Sequence, residues 1–185
     1  EVVKRVFQEF VFGNGRELKG RGDDLVGLVA FARYADTVCP LTLAHGALGQ
    51  FLETVHLAER REEDGTSIGD AIALAAARLH TAGETLAKQV DGQEKPYEIK
   101  SKVIILLTDG QHNFGQRDPM QAASMAADWG IRIHAIGVGG EAVTAVQTPL
   151  GRFMMPTGSD LDERTLTAIA ERTGGIYRKA DDAES

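Results

Sequence analysis

The 185-residue sequence is poor in the residues that usually betray a chemistry. It has one cysteine, Cys39, so no internal disulfide and no cysteine-rich zinc site can form. A lone cysteine in an apolar stretch reads as a small buried residue. The five histidines contain no H-x-x-x-H pair, which argues against a histidine zinc site. No G-x-x-x-x-G-K-[ST] is present, which excludes a P-loop. No apolar run approaches the ~18 residues of a membrane span, and no signal peptide is visible; the piece reads as soluble. Positive charge is also short: 20 Lys and Arg stand against 27 Asp and Glu, a net charge of −7. That balance disfavours non-specific nucleic-acid binding. What remains is 43% hydrophobic and 25% charged, ordinary globular composition for one domain.

Val3, Val6, Phe7, Phe10 and Val11 make a helical stripe, and Gly13-Asn14-Gly15 ends it. The helix has no capping residue before it, so the sequence predicts a segment upstream. Residues 25–32 (LVGLVAFA) read as a buried strand, and residues 37–42, broken by Pro40, as a short edge strand. Ala47, Leu48, Phe51, Leu52 and Val55 form a second helical stripe. Residues 60–64 are a charge run and read as a solvated loop. Ile68, Ala71, Ile72, Ala75 and Leu79 form a third helix. Residues 82–100 are polar and broken by Asp91-Gly92 and Pro96, a surface excursion that begins with a helical extension.

Residues 102–108 (KVIILLT) are the strongest strand. Asp118-Pro119 supplies an N-cap and first helical residue, with Trp129 and Gly130 at the far end of that helix. Residues 131–138 make another strong strand, and residues 143–156 a hairpin around Pro149-Leu150-Gly151. A last helix starts at Asp160 or Asp162, turns Leu166, Ile169 and Ala170 inward, and stops at Gly174-Gly175. A short strand follows at residues 176–179. Alternating strands and helices predict an α/β fold: a three-layer, Rossmann-like, doubly wound, mostly parallel sheet.

In such sheets, ligands bind outside the carboxyl ends of the strands. Asp109-Gly110 stands at the end of the strongest strand. It reads equally as a ligand-bearing carboxylate beside an unhindered glycine and as an Asp-Gly turn. The segment Asp64-Gly65-Thr66-Ser67-Ile68-Gly69-Asp70 is the second feature. Ser67 and Asp70 fit the S-x-x-D capping pattern, which leaves the Thr66 hydroxyl unexplained. On the same sheet edge, Thr66 and Asp109 would offer hard oxygen donors suited to Mg²⁺, which needs ~6 of them.

Two further patterns compete. Gly65 to Gly69 also matches G-x-S-x-G, the nucleophile elbow of a serine hydrolase built on Ser67, with Asp109 and His112 or His134 following in order. An elbow must follow a buried strand, whereas residues 59–64 are charged. Gly137-Val138-Gly139-Gly140-Glu141-Ala142 resembles the dinucleotide fingerprint, but it comes late in the chain and precedes a hairpin rather than a helix.

Taken together, LVGLVAFARYA (25–35), Pro40-Leu41-Thr42, GTSIGDAI (65–72), KVIILLTDGQHN (102–113), IRIHAIGVG (131–139) and DLDERTLTAIAERTGGIY (160–177) resemble a von Willebrand factor type A domain of the bacterial Bat (aerotolerance) type. The resemblance covers nearly all of residues 1–185, read as one domain. It implies a non-enzymatic adhesion or assembly module with a metal-ion-dependent adhesion site for Mg²⁺ or Mn²⁺. Thr66 and Asp109 match two of that site's ligands, with Gly65, Ser67 and Gly110 in its supporting loops. The family's D-x-S-x-S ligand segment has no match in this sequence. It is expected on an upstream strand, between the strands at 25–32 and 102–108; without it the chain is a scaffold lacking a working metal site. The resemblance further implies a protein partner engaged through an acidic side chain, a MoxR-type AAA+ ATPase system, and membrane anchoring of the full-length protein by flanking helices.

Overall fold

Order along the chain follows the apolar periodicity closely. The computed structural model describes residues 2–15, 19–56, 65–88, 99–138, 142–148, 151–157 and 161–180. The charge run at 60–64 and most of the 82–100 excursion lie outside the described residues, as do Asp160 and the 139–141 part of the glycine fingerprint. Helix α1 (Val2–Phe12) ends at Gly13, whose φ of 80° is open to glycine at no steric cost. Strand β1 (Val26–Phe31) turns back through residues 32–34 into β2 (Ala35–Thr42). The two pair antiparallel, and β2 has no second neighbour among the described strands, which is where Pro40 belongs. Helix α2 (His45–Glu53) begins two residues before the predicted stripe. It is anchored there by buried His45, whose Nε2 lies 2.8 Å from the Asp24 carbonyl oxygen.

Helix α3 (Ile68–Lys88) is the longest element. It extends through the start of the expected excursion. Strand β3 (Lys102–Thr108) leads into α4 (Pro119–Asp128), capped as the sequence predicts: the Asp118 carboxylate accepts from Met120 N and Gln121 N at 2.9 and 3.0 Å. Trp129 occupies the C-cap, and Gly130, at φ 67°, closes the helix. Strand β4 (Ile131–Val138) follows. Strands β5 (Ala142–Thr148) and β6 (Gly151–Thr157) form the expected hairpin. Helix α5 (Glu163–Arg172) is capped by Asp162, and β7 (Tyr177–Ala180) ends the fold.

Strands β3, β4 and β7 form a parallel sheet in that order. With helices packed on it, this is the α/β, Rossmann-like arrangement expected. Its main core lies on one face, where Ile68 and Ile72 of α3, Ala122 and Ala126 of α4, and Leu166 and Ile169 of α5 meet Leu106, Ile133 and Ala135. A second cluster joins Val11 of α1, Leu48 of α2 and Cys39 of β2, so the cysteine is an apolar core residue. Burial pushes its thiol pKa up. Strands β1 and β3 are not hydrogen-bonded to each other, so the sheet is divided between them, with α3 packing on both parts. On the face of β3 opposite the main core, Val103 and Ile105 are 39% and 46% exposed.

Candidate functional site

The carboxyl ends of β1 and β3 carry the loops singled out by sequence, and the segment before α3 lies between them. Ser67 is 0% exposed. Its backbone N and its Oγ both donate to the Ala32 carbonyl oxygen at the end of β1, at 2.8 and 2.9 Å. That double bond fastens the start of α3 to β1. A nucleophilic serine needs a hydroxyl facing the crevice and a base within reach; the Ser67 hydroxyl is committed to a backbone carbonyl inside the protein.

The S-x-x-D capping expectation is corrected here. Asp70 does not serve the Ser67 amide, which is already taken by Ala32. Its two oxygens instead accept from Gln116 N and Arg117 N, each at 3.0 Å. The loop after β3 is thereby tied to the first turn of α3. Two glycines permit this closeness. A Cβ on Gly69 would run into the Arg117 carbonyl oxygen and lie 3.0 Å from Asp118 C. Gly115, at φ 120°, would place a Cβ 2.9 Å from Asp70 Oδ2.

The same loop meets Thr66. The Thr66 N–H donates to Asn113 Oδ1 at 2.8 Å, and Asn113 N donates back to the Thr66 carbonyl oxygen at 3.2 Å. Phe114 N reaches the same oxygen at 3.4 Å. The Thr66 Oγ1 sits 3.0 Å from where a Cβ on Gly110 would stand, so the absent side chain leaves that space to the hydroxyl. The turn itself is folded back on β3, with Gly110 N donating to buried Thr108 Oγ1 at 3.3 Å. Asp109 is exposed at the tip. Thr66, Gly65, Ser67, Asp109 and Gly110 therefore share one sheet edge.

Among the described residues, neither the Thr66 hydroxyl nor the Asp109 carboxylate has a hydrogen-bond or ion-pair partner. Both are oxygen donors of the kind Mg²⁺ or Mn²⁺ prefers. Within the described residues, no three His, Cys, Asp or Glu side chains converge on a metal position. The donors present fit part of a hard-cation site.

Sequence reasoning missed three neighbours. Asn113 pairs with a residue 47 positions away, beyond the reach of local pattern. Phe114 and Arg33 carry no motif of their own in the sequence. Gly65, at φ 142°, lies so close that a Cβ would stand 3.2 Å from Phe114 Cβ and 3.5 Å from Arg33 Cα. The Arg33 guanidinium carbon then lies 4.0 Å over the Phe114 ring, and Tyr34 meets that ring in a T-shaped contact at 5.8 Å.

The late glycine pattern has a structural explanation. Gly137 is a buried residue of β4 whose missing side chain admits Leu161 and Tyr177. Ala142 starts a strand, where the dinucleotide fingerprint requires a helix.

Comparison with known proteins gives a consistent picture. Residues 1–185 match the sequence profile of the von Willebrand factor type A domain. An aerotolerance-related membrane protein from Bacteroides fragilis is similar at 26% identity and TM-score 0.63, over 97% of this chain and 80% of that one. BatB from Bacteroides thetaiotaomicron is similar at 25% identity and TM-score 0.60, over 98% and 78%. An uncharacterised protein from Borreliella burgdorferi is 26% identical over 165 residues, 88% of this chain. The chain spans 43% of that relative's length. Among the described residues, no helix is long and apolar enough to cross a membrane.

Proposed function

The chain belongs to the von Willebrand factor type A domain family, and from that premise we propose that it is the metal-dependent binding module of a Bat-type protein, not a catalyst. Thr66 and Asp109 hold Mg²⁺ or Mn²⁺, and a protein partner adds an acidic side chain at an open position of the ion. The observation that carries this reading is the pairing of two unengaged oxygen donors on one edge. Thr66 Oγ1 faces the side-chain-free Gly110 next to Asp109.

The chain's own residues do the positioning. Asn113 and the Ser67–Ala32 bonds fix the height of Thr66, and the Thr108–Gly110 turn presents Asp109 at the tip. A bound divalent ion supplies concentrated positive charge, which makes one partner carboxylate a charge-assisted anchor. The remaining ligands belong to a D-x-S-x-S segment on an upstream strand. The divided sheet supports that assignment, since a strand between β1 and β3 would pair with both and deliver its end to the same edge. In the intact protein, flanking helices anchor the module to a membrane; the B. fragilis relative is itself described as a membrane protein. A MoxR-type AAA+ ATPase system is its proposed working context.

The test is a thermal melt of the protein with its upstream segment, in EDTA and then in excess Mg²⁺ or Mn²⁺. Binding at about 100 times the dissociation constant adds about 2.7 kcal/mol to folded-state stability. The expected result is an upward shift that Asp109→Ala removes. An identical melt with and without ion would leave a scaffold of the same fold with no working metal site.

A further inference from the structure

The loops around Thr66 and Asp109 carry two arginines in a chain whose net charge is −7. Arg33 lies in the turn between β1 and β2 and Arg117 near the end of the loop after β3, and both loops are fastened to the start of α3. Among the described residues, neither guanidinium has a carboxylate partner. Asp36, at the start of β2, is exposed, and two further carboxylates are bonded to backbone amides. Asp70 accepts from Gln116 N and Arg117 N, and Asp118 accepts from Met120 N and Gln121 N. Asp109 belongs to the proposed ion. Among the described residues, the rim of the site therefore presents two guanidiniums that no carboxylate pairs with.

Arg33 is also oriented. Its guanidinium carbon rests 4.0 Å over the Phe114 ring centroid, and Phe114 is in turn bonded through its backbone to Thr66. Tyr34, 65% exposed, meets the same ring in a T-shaped contact. A cation–ring contact uses none of the guanidinium's N–H donors as hydrogen bonds and leaves them to other partners. A planar fork held in this way suits a carboxylate through two parallel hydrogen bonds, at a reduced cost in side-chain entropy.

We propose that Arg33, held on Phe114, is a second anchor of this site and selects an acidic partner segment that carries two carboxylates. One carboxylate takes the ion at Thr66 and Asp109, and the other is received by the Arg33 fork. This rests on the metal-site reading for the first contact but not for the second. Arg33 is a specificity-determining residue here, because a partner with a single acidic side chain meets the ion and leaves the fork unfilled.

The experiment uses a fluorescein-labelled hexaglutamate peptide as probe. Binding is read by anisotropy in Mg²⁺ and in EDTA, for wild type, Arg33→Gln, Phe114→Leu and Arg132→Gln. Arg132 is exposed at the start of β4, at the opposite end of the sheet, and serves as the charge control. The expected result is about a tenfold loss for Arg33→Gln in Mg²⁺, a smaller loss for Phe114→Leu, and no change for Arg132→Gln. A loss in Arg33→Gln that persists in EDTA, with EDTA itself harmless to wild type, sustains the Arg33 anchor and removes the metal reading. Wild-type affinity in Arg33→Gln, with binding abolished by EDTA, overturns the anchor and leaves the metal reading standing. An equal loss in Arg33→Gln and Arg132→Gln reduces the effect to net charge and overturns the proposal, as does a wild type that never binds the probe. Thermal melts of Arg33→Gln and Phe114→Leu confirm that each variant is folded under the assay conditions.

Discussion

Asn113 and Thr66 hold each other by two hydrogen bonds: the Thr66 N–H donates to Asn113 Oδ1 at 2.8 Å, and the Asn113 N–H donates to the Thr66 carbonyl at 3.2 Å. This clasp joins the segment before α3 to the loop after β3. It brings the Thr66 hydroxyl to the edge where Asp109 stands.

Replacing Asn113 by Ala removes the acceptor for the Thr66 amide and should cost about 1–2 kcal/mol in chemical denaturation. The effect on ion response should be larger than that loss implies, because Thr66 is then free to move away from Asp109. Melts of Asn113→Ala in EDTA and in Mg²⁺ check both. Asn113→Asp, which keeps an acceptor at Oδ1, should recover most of the stability.

Gly69 lies in the first turn of α3 against the backbone of Arg117 and Asp118, at a distance that admits no Cβ. Helix propensity alone favours Gly69→Ala by about 1 kcal/mol. Packing reverses the sign, since the obstruction is backbone and cannot swing aside. The expected result is destabilisation of about 1–3 kcal/mol, measured by denaturation. The loop held by Asp70 should loosen too, seen as faster amide exchange at Gln116 and Arg117.

Ser67→Ala separates a structural serine from a nucleophile. The Ala32 carbonyl keeps its bond from the Ser67 backbone N–H, so losing the hydroxyl should cost only about 1 kcal/mol. Turnover of an activated ester should be the same in wild type and Ser67→Ala. Ester hydrolysis that vanishes in the variant would restore the hydrolase reading.

The course of the chain was legible wherever apolar spacing was strong. Residues 102–108 and 131–138 coincide with β3 and β4 to the residue, and Asp118-Pro119 caps α4 as its chemistry requires. The pair Thr66 and Asp109 could be named because a strand end followed by glycine, and a hydroxyl left over from a capping pattern, are both local signals. Their shared edge depends on contacts between residues more than thirty positions apart, such as Ser67 with Ala32 and Asp70 with Arg117. Local periodicity carries no trace of those. The capping pattern failed for the same reason, because the Ala32 carbonyl, distant in sequence, claimed the Ser67 amide first.

Asp162 gives a pH dependence independent of the site. Its Oδ2 accepts from Thr165 Oγ1 at 2.6 Å and its Oδ1 from Thr165 N at 3.1 Å, at the N-terminus of α5. The side-chain bond from Thr165 first, then the backbone bond, holds this carboxyl below its ordinary value. A depressed pKa in the folded state means that the unfolded chain binds the proton more readily. The stabilisation is therefore present above the unfolded value of about 3.9 and is lost as pH falls through the folded one. Asp162→Ala should lower stability by about 1 kcal/mol at neutral pH. The gap between wild type and variant should stay constant down to about pH 5 and narrow steadily below about pH 4. Melting curves of both proteins between pH 7 and pH 3 read this directly; a gap unchanged at the acid end would mean that the Thr165 bonds do not favour the charged carboxylate.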